Sequence, residues 1–108
     1  MNTRKYSKIQ ERRVAKKNGG NVQPNSGATM FAKGDVITKD FLIECKTKIG
    51  KQESVTIKKE WLIKNREESF AMNKNYSAIA FDFGDGKDYY IIDNYLFDIL
   101  RKHLEQED

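Results

Sequence analysis

Asp35, Glu44 and Lys46 stand at the spacing Asp-x8-Glu-x-Lys, with Val36-Ile37-Thr38 and Phe41-Leu42-Ile43 between them as two β-branched or aromatic runs. Lys39-Asp40 separates these runs and can serve as a two-residue hairpin loop. In that register Thr38 faces Phe41 and Asp35 faces Glu44, with Lys46 two residues further along the same face. Directly opposed side chains on an antiparallel pair have Cβ atoms about 4.5–5.5 Å apart. Two carboxylates that close repel each other. A hard divalent cation such as Mg²⁺ (or Mn²⁺) relieves the repulsion, and the Lys46 ammonium adds a further positive charge. Such a set suits metal-assisted hydrolysis of a phosphodiester, with the Ile43 or Cys45 backbone carbonyl as a further oxygen ligand.

The plainer alternative is an exposed hairpin face of mixed charge. Against it, Ile37 and Leu42 share the face of Asp35 and Glu44, while Val36, Ile43 and Cys45 occupy the other. Both faces are therefore expected to be partly buried. Partly buried acids call for a partner or a metal.

The chain of 108 residues fits one domain with a single modest core, and 38% hydrophobic residues with 11% aromatic support folding. All of 1–108 reads as that domain, with 1–6 expected to be a flexible basic N-terminus and 105–108 a disordered tail. Charge is uneven: residues 1–60 hold fourteen Lys and Arg against six Asp and Glu, whereas residues 61–108 hold six against ten. The basic half contains the Asp-Glu-Lys set, which suggests a polyanion meeting that face. Cys45 is the sole cysteine and His103 the sole histidine. An intrachain disulfide, a thiolate cluster, a Ser-His hydrolase and a histidine-based zinc site are all excluded as the main chemistry. With no secretory leader, long apolar run or lipidation motif, a soluble cytoplasmic protein without membrane contact is expected, in the host cytoplasm if phage-encoded.

The positioning elements follow from local pattern. Ser7 with Gln10 resembles a capping box and Asn18-Gly19-Gly20 a helix stop, predicting a basic helix over about 7–18 that carries Arg12, Arg13, Lys16, Lys17 and the lone acid Glu11. Asn21-Val22-Gln23 reads as a short strand, and Pro24 to Ala32 as a loop whose Ser26 can reach a phosphate. Lys48 to Gln52 forms a basic turn, followed by a short strand at Glu53-Ser54-Val55. Thr56 caps a helix to about Asn73 with Ile57, Trp61, Leu62 and Phe70 inward. Ser77–Phe83 is a core strand that Gly84-Asp85-Gly86 turns into Tyr89–Ile92. Asp93 or Asn94 opens a final helix with Leu96, Ile99, Leu100 and Leu104. This order predicts an α/β domain, a mixed β-sheet flanked by helices on both faces. The aromatics Trp61, Phe81, Tyr89 and Tyr90 read as core.

A helix with Glu11, a Ser26-Gly27 loop, Lys33-Gly34-Asp35-Val36, then Ile43-Glu44-Cys45-Lys46 and a further helix resembles the PD-(D/E)xK nuclease superfamily, and within it the small Holliday junction resolvases of archaea and phages. The likeness in element order covers roughly 7–83. It implies a restriction-endonuclease-like sheet and a Mg²⁺-dependent endonuclease of DNA recombination and repair. Asp35, Glu44 and Glu11 would be its metal-binding acids, Lys46 its E-x-K lysine and Ser26 the serine near the scissile phosphate. Gly34 stands where the superfamily has proline, which there only shapes the start of the strand. Glu11 rests on helix order alone. The resemblance also implies a homodimer on four-way DNA, with Arg12, Arg13, Lys16, Lys17, Lys33, Lys48 and Lys51 tracking the backbone; residues after about 76 are the half expected to supply the dimer interface. Two rivals are a non-catalytic DNA-binding module with the same fold, and a restriction or repair endonuclease acting on duplex or flapped DNA.

Overall fold

In a computed structural model that describes residues 3–23 and 35–106, the chain runs α1 (Thr3–Asn18), β1 (Asn21–Val22), β2 (Asp35–Ile37), β3 (Phe41–Lys46), α2 (Lys59–Ala71), β4 (Tyr76–Phe81), β5 (Tyr89–Ile91) and α3 (Asn94–Glu105). The five strands form one mixed sheet in the order β1-β2-β3-β4-β5. All neighbours are antiparallel except β3 and β4, which are parallel. A parallel pair needs a crossover, and α2 supplies it. The result is a single α/β domain.

The β2–β3 hairpin forms in the expected register, with Asp35 opposite Glu44, Val36 opposite Ile43 and Ile37 opposite Leu42. The Thr38 amide donates to the Phe41 carbonyl at 3.0 Å and the Phe41 amide to Thr38 Oγ1 at 3.0 Å, closing the Lys39-Asp40 turn. Lys74 Nζ reaches the Thr38 carbonyl at 2.8 Å and ties that turn to the chain entering β4.

Alternation along the strands gives each face its own core. Val36, Ile43, Ala78 and Ala80 meet Val14 and Ala15 of α1, with Phe41, Cys45 and Ile92 packed beside them. Leu42 and Ile79 point to the opposite face, that of Asp35 and Glu44, and are fully buried there. α2 packs against β3 and β4 on this second face.

Several boundaries differ from the sequence reading. α1 begins a turn earlier, so Thr3 to Tyr6 are helical rather than an extension. Gln10 is 1% exposed and spends its amide on the Lys46 carbonyl at 2.9 Å, not on a cap. Glu53-Ser54-Val55 forms no strand, and α2 starts at Lys59 after Lys58, with no side-chain cap. β4 ends at Phe81, because Asp82 leaves the ladder to bond Thr47 Oγ1 at 2.7 Å and the Gly84 amide at 3.1 Å. Asp93 caps α3 as expected, accepting from the Leu96 amide at 2.9 Å.

The largest correction concerns α2. Its buried residues are Asn65, Glu68 and Ser69, while Phe70 is 84% exposed and Leu62 38% exposed. Of the residues expected inward, Trp61 does face the sheet, with its ring over Lys46 Nζ, but the rest of its stripe is polar.

Candidate metal centre

That polar stripe builds the site. Asp35 from β2, Glu44 from β3 and Glu68 from α2 each bring one carboxylate oxygen to a point where all three lie within 4.8 Å of one another. Asp35 is 1% exposed and Glu68 4% exposed. Hairpin register accounts for the first two, which are direct cross-strand partners. The third arrives because α2 crosses above β3.

Charge here is unbalanced. Asp35 Oδ1 is buried and has no hydrogen-bond partner among the described residues. Burial, then the charges of Glu44, Glu68 and Glu11, push the Asp35 carboxyl up to about 8, against a smaller opposing effect of Lys46. Glu68 is raised by burial and then by Glu44. A buried acceptor among converging carboxylates calls for a proton or a cation, since one left unmade costs about 1–3 kcal/mol. A hard divalent cation with oxygen ligands fits this donor set. A soft thiophilic metal does not, because the Cys45 side chain packs against the α1 core on the other side of the sheet, where burial and then Glu11 push its thiol up.

Lys46 borders the carboxylates. Its Nζ lies 3.2 Å from Glu44 Oε2 and 4.4 Å from the centre of the Trp61 ring. The E-x-K pair therefore shares one face, as strand alternation requires. Glu11 is close enough to raise Asp35 and Cys45, and burial raises its own carboxyl, but it is not one of the three converging acids. Glu68 was missed in the sequence. The available signal was that Trp61, Asn65 and Glu68 follow the i, i+4, i+7 spacing of a single helix face.

Of the expected DNA-tracking cations, Arg12, Lys16, Lys17, Lys48 and Lys51 are exposed. Arg13 is not one of that group. Its guanidinium meets Asp88 Oδ2 at 2.7 Å and Asp82 Oδ2 at 2.9 Å, tying α1 to the far end of the sheet. The segment bearing Lys48 and Lys51 is pinned to the β4–β5 turn by the Gln52 amide, which donates to the Phe83 carbonyl at 2.7 Å. Gly84 sits in the left-handed region there, at φ 82°, and a Cβ on it would run into the Gly50 carbonyl. Ser26 and Lys33 lie outside the described residues.

Compared with family models, curated proteins and solved structures, the chain matches none. Among the described residues no helix is long and apolar enough to cross a membrane.

Proposed function

We propose that this protein is a metal-dependent DNA endonuclease of the PD-(D/E)xK type, with a restriction-endonuclease-like sheet and the substrate preference of a Holliday junction resolvase. The observation that carries this reading is the convergence of Asp35, Glu44 and Glu68 beside Lys46, with Asp35 Oδ1 buried and without a partner among the described residues. A domain with only structural needs has no use for three acids crowded beside one lysine, since replacing any of them by a neutral residue would relieve repulsion.

In this reading Asp35, Glu44 and Glu68 hold Mg²⁺ or Mn²⁺, with the Cys45 carbonyl and Glu11 as further candidate ligands. Bound there, the ion supplies a water of lowered pKa and a positive charge for the phosphate. Lys46 orients that water and stabilises the negative charge that develops on the phosphate oxygens. Arg12, Lys16, Lys17, Lys48 and Lys51 contact the DNA backbone and set affinity without reading bases. Four-way DNA has two-fold symmetry, so the reading includes a homodimer with one site per subunit. The exposed apolar residues Phe97, Leu100 and Leu104, at i, i+3 and i+7 on α3, are the surface assigned to that contact.

A cleavage panel tests the proposal, using Mg²⁺ with four-way, flapped, nicked, linear duplex and single-stranded DNA. Paired symmetric cuts in the four-way substrate, lost on chelation, are expected. Equal cutting of duplex or flap would assign a restriction or repair role. Tight binding with no cutting of any form would identify a non-catalytic DNA-binding module.

A further inference from the structure

Lys46 has two anchors of different kinds, and a cation on the acidic triad would act directly on only one of them. Glu44 Oε2 holds its ammonium at 3.2 Å, but Glu44 also belongs to the acidic triad. A divalent cation on that triad draws on the Glu44 carboxylate and repels the ammonium beside it. The other anchor is the indole of Trp61, whose ring centre lies 4.4 Å from Lys46 Nζ. An indole face attracts an ammonium through its quadrupole, yet it carries no formal charge and offers no oxygen to a hard cation. It neither competes for the metal nor repels a phosphate.

α2 fixes this ring by the same register that delivers Glu68. Trp61 lies in the first turn, where its amide donates to the Lys58 carbonyl at 3.0 Å, and Trp61, Asn65 and Glu68 share one stripe of the helix. One rigid element thus addresses both halves of the site, the metal side through Glu68 and the lysine side through Trp61.

We infer that Trp61 is a positioning residue, whose ring retains the Lys46 ammonium beside the reacting phosphate when the metal takes up Glu44. This rests on the nuclease reading for its consequence in catalysis, while the ring-to-ammonium contact is testable without any cleavage.

Trp61 is the sole tryptophan of the chain, so its emission reports the surroundings of this one ring. The emission spectrum is recorded for the wild type and for Lys46→Met, without metal and with saturating Ca²⁺. Distinct spectra for the two proteins in both states are expected. Spectra that coincide once Ca²⁺ is bound would mean that the lysine leaves the ring, and would overturn the inference. Cleavage of four-way DNA in Mg²⁺ supplies the second arm, as a cycle of Trp61→Leu and Lys46→Ala. Trp61→Leu is expected to lower kcat about tenfold at unchanged KM, to be largely rescued in Trp61→Phe, and to have no further effect when Lys46 is already alanine. An equal loss from Trp61→Leu in both backgrounds, or equal losses in the leucine and phenylalanine variants, would reduce Trp61 to a packing residue. Distinct spectra in a wild type that cuts no DNA would contradict the nuclease reading and leave the contact standing.

Discussion

Asp35 and Glu44 face each other directly across β2 and β3, yet their surroundings differ: Glu44 meets Lys46 Nζ at 3.2 Å, whereas Asp35 keeps a buried Oδ1 with no hydrogen-bond partner among the described residues. Converging carboxylates repel one another unless a proton or a cation offsets them, and the consequences are measurable as stability before any activity is assayed.

The first is a pH dependence of folding. The Asp35 carboxyl is raised in the folded protein to about 8 from an ordinary 3.8, so between those values the folded chain binds more protons than the unfolded chain. Stability of the metal-free protein should fall as pH rises from about 4 to about 8 and level off above that. Raised Glu68 and Glu11 carboxyls act in the same sense. Thermal melts in chelator across this range check the slope, and Asp35→Asn should flatten it. Saturating Ca²⁺ or Mg²⁺ at pH 8 should raise Tm, with each kcal/mol of stabilisation seen as roughly 4–8 °C for a domain of this size.

Glu68 carries its own prediction. Glu68→Gln removes one of three converging charges while conserving shape, and should weaken Mg²⁺ or Mn²⁺ binding by about tenfold or more. Titration calorimetry reads this directly. The same variant should melt no lower than the wild type in chelator, because it also removes a repulsive neighbour of Asp35.

Arg13 separates from the other basic residues of α1. Arg13→Ala removes the ion-pair partner of Asp82 and Asp88, whose side chains are 3% and 2% exposed, and should cost about 3 kcal/mol in denaturant unfolding. Replacing Arg12, Lys16 and Lys17 together should leave stability within about 1 kcal/mol, while the salt dependence of DNA binding flattens by up to about one unit per lost phosphate contact.

The α3 stripe predicts an oligomeric state. Phe97 is 56% exposed and Leu104 80% exposed, an apolar surface that a second subunit would cover. Sedimentation at micromolar concentration should show a dimer, and Phe97→Glu combined with Leu104→Glu should give a folded monomer.

These assignments divide by how far their causes reach along the chain. The Asp35–Glu44 pairing was legible because a two-residue loop and a period of two fix every position of the hairpin, and the side chosen by Cys45 followed with it. The Asp93 cap was legible for the same reason, since its partner is the nearby Leu96 amide. Glu68 was not, because apolar periodicity names an inner stripe only where that stripe is apolar, and here it is Asn65, Glu68 and Ser69. Arg13 was not, because its partners lie 69 and 75 residues away, and a run of like residues in sequence does not show which one turns inward.

In the proposed function Asp35 belongs to a metal centre that hydrolyses DNA. The most direct test compares wild type and Asp35→Asn on four-way DNA, measuring single-turnover cleavage in Mg²⁺ alongside the Kd for the uncut substrate in Ca²⁺. Metal-dependent cleavage by the wild type and none by Asp35→Asn is expected, with Kd unchanged or tighter because a negative charge facing phosphate has been removed. Cleavage by Asp35→Asn at the wild-type rate, or no metal-dependent cleavage by either protein, would contradict that function.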